Sequence, residues 1–359
     1  MSHLRVFANL PLIFIASTAF CQQASYGNYK GFIGKYPVTM HLHKIDHDFF
    51  GYYYYDSCEH PLFFIGDDST EKGKIKLISF LPDADSTESF IFEIKDGAIA
   101  NGTFNPGEKN SSDFSAKETS SNFNFIYSRD TIKLKKSIVE SPMATFEEAS
   151  IWPKDNSPHA LFLKSAIDNA FEEKNSTEDI GRIFLKQKKK YFADYLTEYK
   201  DANDSDLADI ASYSMDETAR LMIVFQSEKI LTLAAYSYSF TGGAHGNYGT
   251  EYSSLDLTSH ETIKLNDVLN VDGKKQLPRL LAKYFRKAYN LRTTDSLSQG
   301  GLFEEKIKPN NDFYVTTKGI GFDYVPYEIG PFAMGEINIF IPFTELSAYL
   351  QPAFKKLID

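Results

Sequence analysis

From Tyr29 to about Leu134, apolar and polar residues alternate in short runs instead of recurring at helical spacing. Val38, Met40 and Leu42 are interleaved with Thr39, His41 and His43. Phe50 to Tyr55, Leu62 to Ile65, Ile75 to Phe80, Phe90 to Ile94, Ile99 to Phe104, Phe123 to Tyr127 and Ile132 to Leu134 keep the same habit. A period of two puts successive side chains on opposite faces of a strand. Asp46-His47-Asp48, Gly66-Asp67-Asp68, Asp96-Gly97 and Asn105-Pro106-Gly107 separate the runs as turns. The pattern predicts an antiparallel meander over residues 24–135, either a barrel or a strongly curved sheet. The polar stretch Gly107 to Ser121 reads as a flexible loop.

Residues 136–157, with Pro142 and Pro153 and Pro158 just beyond, read as a linker. The texture then changes. Leu163, Ala166, Ile167, Ala170 and Phe171 fall at helical spacing, as do Ile180, Ile183, Phe184, Tyr191, Tyr195 and Tyr199. Ser176 and Asp179 form a capping signature for the second helix, and Lys188, Lys189 and Lys190 belong to its solvated face. Leu221 to Phe225 and Ile230 to Phe240 predict a hairpin. Leu277, Leu280, Leu281, Tyr284, Phe285 and Ala288 predict an amphipathic helix, and a terminal helix begins near Thr344. Phe313 to Thr317, Gly321 to Tyr324 and Ile337 to Ile341 read as strands. The expected fold class is α+β: an N-terminal antiparallel β meander or barrel-like domain, then an α+β domain over residues 158–359 with an antiparallel sheet and packed helices.

Composition refines this picture. At 359 residues with 42% hydrophobic content, the chain can fill two cores. A formal charge of −10 with no basic cluster argues against nucleic acid as a partner. Residues 1–21 read as an export signal: Arg5, the apolar run Leu10 to Ile15, then small residues at Ala19 and Cys21. The run is too short for a transmembrane span. A rival reading lipidates Cys21, but Phe20 stands where a small residue is expected. With Cys21 removed, Cys58 has no disulfide partner and reads as a small, semi-buried packing residue. The chain is therefore expected to be exported, to the periplasm or the cell surface.

Recognised chemistry is sparse. His43 and His47 have i, i+4 spacing, but on a strand end that spacing separates the rings, and no Glu lies between them as in a zinc motif. His41 and His43 share the outer strand face, with no third ligand identifiable. Asp201 to Asp206 opens like a calcium loop but lacks its glycine and its closing glutamate. No nucleophile elbow, Walker loop or dinucleotide fingerprint is present. No cofactor and no metal is expected, and an enzymatic role is less expected than a binding one. The unusual string is Ser239-Phe240-Thr241-Gly242-Gly243-Ala244-His245-Gly246-Asn247. It reads as a tight reversal that His245 packs, or as a rigid exposed loop that meets a partner. The candidate binding residues are Thr241, Gly242, Gly243, His245 and Asn247, with Tyr238 and Tyr252 on adjoining strands and Tyr327 in a second unusual string.

Three strings, Tyr238 to Asn247, Ile263 to Leu269, and Tyr327-Glu328-Ile329-Gly330-Pro331-Phe332-Ala333-Met334-Gly335 with Ile341-Pro342-Phe343, resemble the extracellular domain of the RsiV-type anti-sigma factors, which sense lysozyme. The same domain is attached to some peptidoglycan deacetylases. The resemblance spans roughly Pro158 to Leu357 and implies an α+β domain that recognises something at the cell envelope. The sensor members have a sigma-binding segment and a membrane span, and the deacetylases a separate domain with Asp and His metal ligands. The sequence shows none of these, so neither role is carried over. The expected function is an exported envelope protein that binds a lysozyme-like protein or a peptidoglycan or glycan fragment. The alternative is a cell-wall or carbohydrate-active hydrolase using His245.

Overall fold

A computed structural model of the chain describes residues 24–71, 73–82, 87–107, 110–135, 140–171, 178–203 and 205–359. The export signal, Cys21 and Ser176 lie outside the described residues.

The first nine strands form one antiparallel sheet: β1 (Ala24–Ile33), β2 (Tyr36–Ile45), β3 (Asp48–Tyr55), β4 (Leu62–Glu71), β5 (Lys74–Phe80), β6 (Thr87–Phe92), β7 (Ile94–Lys95), β8 (Ala98–Asn105) and β9 (Ser112–Thr119). Their order is β6-β5-β4-β3-β2-β1-β9-β8-β7, and β8 also pairs with β6, which closes the sheet. Both β6 and β7 pair along β8, so they share one place in the wall and the closed sheet has the character of an eight-stranded barrel. Period-two alternation aims Ile33, Met40, Leu42, Tyr53, Phe64, Leu77, Phe90 and Phe104 inward. At Gly31 a β-carbon would lie 1.9 Å from the Ser115 carbonyl oxygen, so only glycine lets β1 and β9 approach this closely.

One wall strand was not legible as such. β9 occupies the stretch expected to be a flexible loop. Only Phe114 and Ala116 point inward, between exposed Asp113, Ser115 and Lys117, so the alternation rests on two residues in a polar string.

A second sheet combines β10 (Phe123–Lys133), β11 (Met143–Pro153), β12 (Met215–Gln226), β13 (Ile230–Phe240), β14 (Asn247–Asp256) and β15 (Glu261–Thr262), in chain order. The β11–β12 pair is parallel and the others are antiparallel. The parallel pair needs a crossover. It carries α1 (Ala160–Ala170), α2 (Ile180–Glu198) and α3 (Ile210–Tyr213). Asp179 caps α2, its side chain accepting from Gly181 N at 2.9 Å. Strand β11 lies in the segment expected to be a linker. Pro142 and Pro153 bound it without interrupting the ladder, and its acids Glu147 and Glu148 are buried, which disguises an interior strand.

The third layer contains α4 (Leu265–Val268), α5 (Val271–Ala288), a three-stranded antiparallel sheet of β16 (Phe313–Val315), β17 (Gly319–Tyr324) and β18 (Ile337–Pro342), and α6 (Pro352–Ile358). Asn270 caps α5, and Leu277, Leu280, Leu281 and Phe285 are fully buried against a cluster that includes Ile320, Phe322, Ile339 and Ile341. Each such side chain contributes about 1.5–3 kcal/mol of burial free energy. The terminal α-helix starts at Pro352, not near Thr344; proline's fixed φ suits the first helical position.

The barrel's outer wall is not free. Tyr26, Ile45, Phe50 and Tyr52 join the core that contains Leu221, Met222 and Ile223 of β12. His41 and His43 do face out of the barrel, but the second sheet covers them and both are 0% exposed. Burial holds each imidazole near a pKa of about 3, so both are neutral. His41 Nδ1 lies 2.9 Å from the Tyr26 hydroxyl, and His43 stacks on Phe50. Cys58 is exposed in the turn after β3, not packed. No helix among the described residues is long and apolar enough to cross a membrane.

Candidate functional site

The glycine-rich string is the connection between β13 and β14, and it meets the second string in space. Gly242 (φ +85°) and Gly243 (φ +114°) occupy the left-handed region that the reversal requires. A β-carbon on Gly242 would lie 2.8 Å from Ser212 O, so the loop is also pressed onto the end of α3. Two steps along β14, Gly249 admits the side chain of Val325, whose Cγ1 would lie 2.8 Å from any β-carbon there. That contact draws the 325–335 loop against the strand.

The result is an aromatic cluster. The exposed His245 ring stacks on Phe332 with centroids 4.1 Å apart and planes 27° apart. Phe332 also meets Tyr248 edge-on at 5.6 Å and Tyr327 at 5.6 Å. Tyr327 is 57% exposed and has φ +73°, a cost that its backbone bond to Gly330 O helps offset. His245 Nδ1 lies 3.0 Å from Gly246 O, so it donates there and the ring's orientation is set.

Alternate residues of β14 continue inward from this surface. Thr250 Oγ1 donates to Glu336 Oε2 at 3.1 Å, and Tyr252 N donates to Asp312 Oδ1 at 2.7 Å. Beside them lies Asp323, 1% exposed, accepting from Asn338 Nδ2 at 3.0 Å. Asn338 Oδ1 accepts from the Tyr314 hydroxyl at 2.8 Å. Burial, reinforced by Glu336, raises the Asp323 carboxyl well above its ordinary range. Burial likewise raises Glu336, and pushes Asp312 up to about 7. None of the three is ion-paired with a basic side chain among the described residues. Burial thus favours the protonated form of each of the three carboxyls. No set of three or more His, Cys, Asp or Glu side chains among the described residues is placed to hold a metal ion.

The eight candidate residues divide. Thr241, Gly243, His245 and Asn247 are exposed on one loop, and Tyr327 joins them through Phe332. Gly242 is the pressed turn residue. The Tyr238 ring lies over Gly246, where a β-carbon would come within 2.5 Å of it. Tyr252 is apart from this surface: its hydroxyl lies 3.1 Å from that of Tyr52 and its ring packs on Tyr314. Sequence reasoning did not single out Phe332 and Tyr248, the centre of the cluster, or the three acids. Phe332 lies inside the third of the strings, with no local feature that marks it. Asp323 carried a signal: a lone acid in Gly319-Ile320-Gly321-Phe322-Asp323-Tyr324, an otherwise apolar strand with burial on both faces.

Family models match two segments of the C-terminal half: deacetylase PdaC over residues 152–248 and a protein of unknown function, DUF3298, over residues 266–344. The His245 loop ends the first segment and the Phe332 loop lies in the second. No curated protein matches the chain. Among solved structures, a DUF3298 family member from Bacteroides fragilis NCTC 9343 is 24% identical with a TM-score of 0.59, covering 66% of this chain and 96% of that one. A DUF3298 family protein from Pseudomonas aeruginosa PAO1 is 17% identical with a TM-score of 0.45, covering 65% and 96%. The C-terminal half thus carries PdaC-like and DUF3298 segments, and the Bacteroides structure shows that this chain shares its fold.

Proposed function

We propose that this chain is an exported cell-envelope protein whose C-terminal half binds a lysozyme-like protein or a peptidoglycan fragment at the His245–Phe332–Tyr327 surface. The observation that carries the reading is the joining of two distant strings into one exposed aromatic cluster on strained, glycine-permitted loops. Aromatic side chains on rigid supports give large contact area at small entropic cost, which suits recognition. The RsiV-type resemblance and the match to a deacetylase model support a place at the cell wall. The net charge of −10 favours encounter with a cationic partner at low salt.

The geometry favours binding over hydrolysis by His245. Its Nδ1 donates to the Gly246 carbonyl, and among the described residues no hydrogen bond joins its ring to a serine, cysteine or carboxylate side chain that could act with it. Calorimetric titration of the full chain with lysozyme and with muropeptides tests the proposal. Binding of either one, weakened at least about tenfold by Phe332→Ala, is the expected result. Silence toward both, or binding that Phe332→Ala leaves intact, overturns it.

A further inference from the structure

The barrel is packed along most of its length by Phe64, Phe90, Phe104 and Phe114, but one end is open. There a cavity of about 510 Å³ is lined by residues of β1, β2, β3, β4, β5 and β7, with His47 and Gly73 at its edge. That volume is in the range of sites for small organic ligands, and eight-stranded barrels are wide enough to hold one.

The lining sorts into a floor and a rim. Leu42, Phe49, Ile75 and Ile94 make the floor apolar. Gly27 leaves the space into which the Tyr29 ring folds: a β-carbon there would lie 2.5 Å from Tyr29 Cε2. Tyr29 itself is 6% exposed and lines the cavity. At the rim, the Lys44 ammonium sits 4.9 Å from the Phe49 ring centroid and 3.3 Å from Asp68 Oδ2. Asp68 also takes a 2.6 Å contact from His47 Nδ1. Asp68, the one acid among the described lining residues, is thus engaged twice. Of the three ammonium protons of Lys44, one is satisfied by Asp68 and two find no acceptor among the described residues. Ser25 adds a further hydroxyl. Among the described lining residues, Lys44 keeps N–H capacity above an apolar floor, and the Tyr29 and Ser25 hydroxyls can each donate or accept.

We propose that this end of the barrel binds a small amphipathic carboxylate, its apolar chain or ring on the Leu42–Ile75 floor and its carboxylate on Lys44, in a wall that also presents the Tyr29 and Ser25 hydroxyls. A carboxylate accepts from an ammonium and from hydroxyls and pairs with the ammonium by charge. An alcohol can accept from the ammonium but brings no charge to pair with it, and a protonated amine would be repelled by it. The site is independent of the aromatic surface on the C-terminal half.

The test is equilibrium binding of laurate, dodecanol and dodecylamine to the full chain, below their aggregation concentrations. Laurate is expected to bind at least about tenfold more tightly than either of the others. Lys44→Met should reduce laurate to the affinity of dodecanol. Ile75→Trp, which places an indole in the cavity, should abolish binding of both. Equal affinities for the three probes, no binding of laurate, a preference that survives Lys44→Met, or laurate affinity unchanged by Ile75→Trp would each overturn the proposal. Should Lys44→Met lose its native near-ultraviolet dichroism, the ratio of laurate to dodecanol affinity on the unaltered chain still decides.

Discussion

The Tyr52 hydroxyl lies 3.1 Å from the Tyr252 hydroxyl, two hundred residues away, and the pair ties the barrel wall to the second sheet. Burial and neighbouring acids raise both phenols above their ordinary pKa, so both are protonated and one donates to the other. Removing either hydroxyl leaves the other without its partner in a buried seam. Tyr52→Phe and Tyr252→Phe should each cost about 1 kcal/mol in urea unfolding, and the double variant should cost less than the sum. Strict additivity would mean that the two hydroxyls do not communicate.

Glu147 makes a second tie. It is 3% exposed and receives both Arg129 and Arg220, while Arg129 also reaches Asp48 at the start of β3 at 2.8 Å. Arg220 in turn lies over the Phe50 ring at 4.4 Å. Glu147→Ala strips a buried carboxylate from two partly buried guanidinium groups. The expected loss is about 3 kcal/mol or more, measured by denaturant unfolding. Glu147→Gln, which keeps the shape and accepts one bond, should lose less. A loss under about 1 kcal/mol for Glu147→Ala would show that water replaces the pairing.

These ties explain what was and was not legible in the sequence. The barrel strands and α5 were readable because Val38, Met40 and Leu42, or Leu277, Leu280 and Leu281, obey one period with one buried face. Strand β11 is not, because both of its faces are buried and its acid Glu147 is paired with Arg129 of β10 and Arg220 of β12, so its local pattern looks like a mixed linker. Strand alternation places His41 and His43 outward, which is correct for the barrel alone. What covers them is a tertiary fact with no local signature. The same holds for the aromatic cluster: both strings stood out by their glycines, but only packing of Val325 on Gly249 shows that His245 and Phe332 meet.

The buried acids set a pH dependence. Asp312 has its folded pKa raised to about 7 from 3.8, so the folded state holds its proton more tightly than the unfolded chain does. Its contribution is therefore fully present below about pH 4 and is lost as pH rises toward 7. The buried histidines act oppositely: with folded values of about 3, they weaken the fold as pH falls below about 6.5. Asp312→Asn keeps an oxygen to accept from Tyr252 N and removes the titration. It should match the parent near pH 4 and exceed it at pH 8 by the order of 2 kcal/mol, read from urea midpoints. Equal stability at pH 8 would mean that solvent reaches Asp312.

The loop that carries His245 offers a comparison between two adjacent glycines. Both have positive φ, but a β-carbon on Gly242 would lie 2.8 Å from Ser212 O, whereas one on Gly243 would meet nothing within 4 Å. Gly243→Ala should therefore cost only the backbone strain, about 1 kcal/mol, and leave the loop in place. Gly242→Ala adds a clash with backbone that cannot swing aside, so its cost should be larger, about 2–3 kcal/mol, or the loop should lift from α3. In the second case the His245–Phe332 stack opens, and histidine-specific NMR shifts at residue 245 should move toward solvent values in Gly242→Ala but not in Gly243→Ala. If the two variants match in stability and in the His245 signal, the contact with Ser212 does not hold the loop.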